Sequence, residues 1–231
     1  MSVGQRLRAP VAAAQGIWLR STRTMAPPAA GPTSGTAGPD GGPPLRLAVL
    51  GESTAAGCGV ERHEDGFTGS LARLLAGRTG RPVHWQVVGR FGATSRRIRY
   101  RLLPEIDEGL DVAVLLAGGN DVLSGRGPEE WRDHLTAVVD ELLNRADQVL
   151  VAGTPPFQLF PSMPATLGLV LAGRAATLDE VSREVCAARP GTTWVTMNDI
   201  PRPEYFAADR FHLSAEGYRH WAEVIADHLV Q

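Results

Sequence analysis

Cysteine is nearly absent: Cys58 and Cys186 are the whole complement of a 231-residue chain. Two thiols cannot build a disulfide framework. Each reads as a small buried hydrophobe, with a single bridge between them left open. Excess charge of one sign is also missing. The formal net charge is -2, so no global field draws the chain to nucleic acid or to an anionic membrane. Long hydrophobic runs are lacking too: no window approaches the roughly 18 apolar residues that suggest a membrane span. Nor does any CxxC or paired-histidine spacing point to zinc. What remains is an ordinary globular composition, 43% apolar, at a length that suits one α/β domain.

The first 25 residues read as a segment apart. Arg6 and Arg8 precede an apolar stretch, 9–19, that loosely resembles a signal peptide. Pro10, Gln15 and Gly16 interrupt it, and Arg20 and Arg23 follow closely. A short amphipathic helix, lying on the protein or on a bilayer surface, fits better than a cleaved leader. The expected location is therefore the cytoplasm, with export or membrane-surface association as alternatives. Residues 26–44, APPAAGPTSGTAGPDGGPP, hold too much proline and glycine for a helix or central strand, so they read as a linker or extended arm. The catalytic domain is expected to begin near Leu45.

From there strands and helices alternate. Strands are expected over 45–50, 83–88, 112–117, 148–152 and 193–196. Helices are expected over 67–76, 95–103, 128–146 and 166–187, and a last one capped by Ser214, with Tyr218, Trp221, Ile225 and Leu229 as its stripe. Such alternation implies a three-layer α/β/α domain with a parallel sheet. About five strands favour the flavodoxin-like order 2-1-3-4-5.

Ligands of such sheets bind at the carboxyl ends of the strands, where the strand order reverses. The residues that follow each strand are therefore the candidates. Gly51-Glu52-Ser53 follows the first. Ser53 is either a nucleophile or a helix-capping serine, and no Gly-Lys-Ser/Thr end supports a phosphate loop. Gly92 follows the second strand and could present a bare amide to a ligand, or merely make a turn. Gly118-Gly119-Asn120-Asp121 follows the third, and the Asn120 carboxamide could donate to an anionic oxygen. Asp209 stands three residues before His212, a spacing at which a carboxylate can orient an imidazole. Each block alone has an ordinary turn-forming explanation. Together, in this order, they supply a nucleophile, oxyanion donors and an orienter–base pair.

At these blocks the chain resembles the SGNH (GDSL-like) hydrolase superfamily over residues 45–231. That family has Gly-Asp-Ser where this chain has Gly51-Glu52-Ser53, a glycine matched by Gly92, Gly-x-Asn-Asp matched by residues 118–121, and Asp-x-x-His matched by Asp209 and His212. The resemblance implies a carboxylic-ester hydrolase with Ser53 as nucleophile, His212 as base and Asp209 as its orienter. It implies an oxyanion hole from the Ser53 and Gly92 amides and the Asn120 side chain, and no metal or cofactor. Glu52 departs from the family's Asp and is given no catalytic role. The expected substrate is a small-molecule ester: a lipid, a small ester or an O-acylated glycan. The same residues would serve an acyltransferase, and a non-catalytic binding module is a third reading.

Other features remain. Residues 155–171, PPFQLFPSMPATLGLVL, read either as an acyl-chain wall or cap, or as a loop packed on the core. Arg90, Arg96, Arg97, Arg99 and Arg101 crowd the segment around Gly92. One reading is a contact with an anionic head group or a membrane surface; regular helical spacing, however, would spread Arg96, Arg97 and Arg99 around the axis, so a solvated basic helix is expected rather than one patch. His63 competes with His212 for the role of base.

Overall fold

A computed structural model of the chain describes residues 3–22, 24–197 and 202–229, without the side chains of residues 3–9 and 20. The sequence reading of the N-terminal arginines (Arg6, Arg8, Arg20 and Arg23) therefore lies outside the described side chains.

The chain opens with helix α1 (Val3–Thr22), then β1 (Ser34–Ala37), β2 (Leu45–Gly51), α2 (Phe67–Thr79) and β3 (Val83–Gly89). It continues through α3 (Ser95–Arg97), β4 (Leu110–Leu116), α4 (Gly119–Leu123), α5 (Pro128–Leu143) and β5 (Ala146–Ala152). Helix α6 (Ala165–Ala187), β6 (Thr192–Val195) and α7 (Ala215–Ala226) complete it. The central strands β2 and β4 are apolar over nearly their whole length and buried on both faces, as a helix-covered parallel sheet requires.

The sheet runs β1-β3-β2-β4-β5-β6. Strands β2 to β6 are parallel to their neighbours and follow the expected 2-1-3-4-5 order; β1 is added at one edge, antiparallel to β3. The chain leaves β2 for β3 and returns to β4 on its other side, so the order reverses at β2. Right-handed crossovers in opposite directions place the helices on opposite faces. Helix α2 packs with α7, α5 packs with α6, and α1 lies on α6.

Three expectations need correction. The sheet begins at Ser34 rather than Leu45, because the unpaired edge of β3 takes up four residues of the Pro/Gly arm. The helix expected over 95–103 is broken: three α-helical residues pass into a π-helical turn (Ile98–Leu102), then a 3₁₀ turn holding Pro104 (Leu103–Glu105). The helix expected over 128–146 ends at Leu143, and Ala146 already belongs to β5. Cys58 and Cys186 are both buried free thiols, so the bridge between them is not formed.

Candidate active site

The carboxyl end of β2 delivers Ser53 at the point of strand reversal. After Gly51 the chain turns at once: the Glu52 amide donates to the Leu116 carbonyl of β4 at 3.0 Å, and the Cys58 amide donates back to the Ser53 carbonyl at 3.0 Å. The buried Tyr218 hydroxyl of α7 donates to the Cys58 carbonyl at 2.7 Å, tying this loop to the last helix.

His212 and Asp209 share a tight loop before α7. The Ala207 amide donates to the His212 carbonyl at 2.8 Å, and Arg210 takes the left-handed conformation at φ 56°. His212 Nδ1 lies 2.7 Å from Asp209 Oδ2, with both side chains almost wholly buried. Three backbone amides also donate to this carboxylate, each at 2.9 Å: Phe211 and His212 to Oδ1, Ala26 to Oδ2. Burial pushes the Asp209 pKa up, but the hydrogen bonds from His212, Ala26 and Phe211 outweigh it and hold the carboxyl well below its ordinary value. Asp209 is therefore an anion across the physiological range. The bond at His212 Nδ1 leaves Nε2 as the ring nitrogen without a hydrogen-bond partner among the described residues.

Asn120 is held from an unexpected side. Its Nδ2 donates to Glu52 Oε2 at 2.7 Å, its amide donates to the same oxygen at 2.9 Å, and the Gly119 amide donates to Glu52 Oε1 at 3.1 Å. One carboxylate thus fixes both the backbone and the side chain of the asparagine. The approach is close: a Cβ on Gly119 would lie 2.5 Å from Glu52 Oε1. Burial raises the Glu52 pKa from 4.5 to about 7, against the lowering effect of the bonds from Asn120 and Gly119. Glu52, given no role in the sequence reading, is the anchor of Asn120.

The Gly92 loop is fastened to the same block. Asp121 accepts the Ser95 amide at 2.9 Å and the Ser95 hydroxyl at 2.6 Å. Gly92 has a φ of 71° and no atom within 4 Å of a built Cβ. Glycine is favoured there by the backbone conformation rather than by a crowded approach.

Ser53, Asn120 and His212 line one small cavity of about 40 Å³, with Phe157, Phe160 and Phe211 as its apolar wall. The aromatic rings pack on one another: Phe157–Phe160 and Phe160–Phe211 centroids are 5.4 and 5.3 Å apart. Pro155, Phe157 and Phe160 therefore form a pocket wall, while Leu167 and Leu171 of the same stretch belong to the core. Phe91 and Phe211 flank the His212 ring, with centroids 5.9 and 5.2 Å away. Among the described residues Ser53 Oγ and the His212 ring are not hydrogen-bonded to each other. His63 is buried in a 3₁₀ turn and does not line the cavity. Gly92 also lies outside the lining.

With fold and site together, the class is defined: the chain belongs to the GDSL-like lipase/acylhydrolase family, whose model matches residues 49–220. A GDSL-like esterase of Mycobacterium tuberculosis is 28% identical over 192 residues, covering 78% of this chain and 60% of that protein. The chain thus spans about 60% of the length of this curated relative. Among solved structures, a family 3 carbohydrate esterase from Clostridium thermocellum aligns with a TM-score of 0.62 at 20% identity, over 81% of this chain and 98% of that one. An extracellular lipase from Streptomyces rimosus aligns with a TM-score of 0.60 at 17% identity, over 79% and 99%. The likeness to these structures is one of fold.

Proposed function

We propose that this protein is a serine ester hydrolase working through an acyl-enzyme on Ser53. The observation that carries the reading is the 2.7 Å Asp209–His212 bond beside a cavity that Ser53 and Asn120 also line. Asp209 fixes the imidazole tautomer and stabilises the imidazolium. His212 Nε2 takes the Ser53 proton as Oγ attacks the acyl carbonyl. The same nitrogen returns the proton to the leaving alcohol, and water repeats the sequence on the acyl-enzyme. The separation of Ser53 Oγ from the ring in the resting protein is compatible with this, since such bonds often tighten only with substrate bound. The Ser53 amide and one Asn120 Nδ2 hydrogen receive the oxyanion; the Gly92 amide, expected as a third donor, lies outside the cavity lining. The other Nδ2 hydrogen is spent on Glu52.

The acyl group enters the wall of Phe157, Phe160 and Phe211. A cavity of about 40 Å³ has room for about three water-sized groups, so short acyl chains are favoured over long ones. Ser53→Ala tests the reading: turnover of short-chain aryl esters should fall by up to about 10⁶, with the circular dichroism and melting curve unchanged. Retained turnover would remove Ser53 from the reaction.

A further inference from the structure

Beside the catalytic cavity the chain builds a second, open cleft of about 790 Å³. Arg90, Arg96, Arg97 and Arg101 line it with Thr94 and Tyr100, and Glu105 is the one carboxylate in the lining. On a regular helix Arg97 and Arg101, four apart, would already share a face, while Arg96 and Arg101, five apart, would lie about 140° from each other. The π-helical turn gathers them: the Leu103 amide donates to the Ile98 carbonyl, five residues back. That wider turn brings Arg96 and Arg101, five apart, to the same side as Arg97. Ile98 and Leu102 stay in the core and hold the turn in place. Arg99 falls out of phase and pairs with Asp133 at 3.1 Å. Such π turns are frequent at functional sites.

The chain has no lysine, so the choice of arginine carries no information; its placement does. Among the described residues eight arginines elsewhere make ion pairs with carboxylates, among them Arg62, Arg78, Arg126 and Arg145. Among the described residues the guanidiniums of Arg90, Arg96, Arg97 and Arg101 have no such partner. Four like charges are thus collected around one carboxylate, Glu105, in a protein whose net charge is -2. An anion would relieve their repulsion, and the guanidinium fork matches phosphate oxygens two at a time. The cleft also adjoins the catalytic loop. The Arg90 amide donates at 3.1 Å to the carbonyl of Gly51, two residues before Ser53. Phe91, next in sequence, lies against His212.

We propose that this cleft binds a phosphate carried on the alcohol portion of the ester. The proposal rests on the hydrolase reading above: the acyl group fills the phenylalanine pocket, and the alcohol portion runs past Phe91 onto the arginines.

The test compares butyrylglycerol with butyrylglycerol 3-phosphate, which differ only in the phosphate. The phosphorylated ester should have the higher kcat/KM, by about tenfold or more, and the advantage should shrink with added salt. The Arg97→Ala/Arg101→Ala variant should remove most of it through KM while cleaving the neutral ester as before. Inorganic phosphate should bind the wild-type protein in calorimetry and lose that binding in the variant. Equal turnover of both esters, with the variant unchanged, would overturn the phosphate site and leave the hydrolase intact. Failure to cleave either ester would contradict the hydrolase, and calorimetry would then decide whether the cleft binds phosphate. Wild-type protein that binds phosphatidylglycerol vesicles yet ignores the phosphate on the soluble ester would overturn the proposal in favour of a bilayer contact.

Discussion

Glu52 carries more of the site than its place beside Ser53 would suggest. Its carboxylate gathers two backbone amides and the Asn120 carboxamide, so in the proposed mechanism it is a positioning residue that acts through Asn120. Asn120→Ala should lower kcat by about 10²–10³ with little change in KM; a pure KM effect would remove Asn120 from the oxyanion hole. Glu52→Gln has a separate signature in stability. The folded pKa of about 7 lies above the ordinary 4.5, so between these values the folded state keeps a proton that the unfolded chain has lost. Stability then falls as pH rises through that window. Urea midpoints at pH 5 and pH 7.5 should show a decline attributable to Glu52, and the Gln variant should lack that part. An identical decline in both proteins would mean that Glu52 titrates normally. Ser53, Asn120, Asp209 and His212 were legible as candidates because each follows a strand or precedes a helix. The role of Glu52 was not, because its partners lie 67 and 68 residues away and two of its three donors are backbone, which carries no sequence signal.

Among the elements, the arm before β2 is the least expected contributor. Its composition excludes a helix but says nothing of where an extended chain will lie. The sheet takes residues 34–37 as an edge strand, and farther back the Ala29 and Ala30 amides donate to the Ala56 and Glu61 carbonyls at 3.0 and 2.8 Å. That course brings the Ala26 amide to Asp209 Oδ2, the oxygen that also holds His212. Ala26→Pro deletes this donor, and Ala26→Gly keeps it. The proline variant should have a lower kcat, by about tenfold, because one charge-assisted bond to the orienting carboxylate is lost. Its Asp209 pKa should rise, measurable by NMR titration of the carboxyl carbon. Unchanged kcat and titration in both variants would reduce the arm to a passive strap. The π turn was equally hidden, since nothing in the residues of 98–102 distinguishes it from an α-helix. Its effect on the arginines follows from one extra residue per turn.

At the scale of the whole molecule the sequence was most informative. Buried apolar runs alternating with amphipathic helices give a parallel order with few alternatives, and the reversal at β2 fixes where a site must lie. Edge strand β1 escaped because four residues of Ser, Gly, Thr and Ala carry no hydrophobic alternation. The central claim is that the fold joins the end of β2 to the loop before α7, so that His212 activates Ser53. A serine-directed alkyl phosphonate, followed by digestion and mass spectrometry, tests this most directly. The account predicts a single adduct on the peptide containing Ser53, formed much more slowly in His212→Ala and at the wild-type rate in His63→Ala. An adduct on another residue, or labelling of Ser53 that is indifferent to His212, would contradict it.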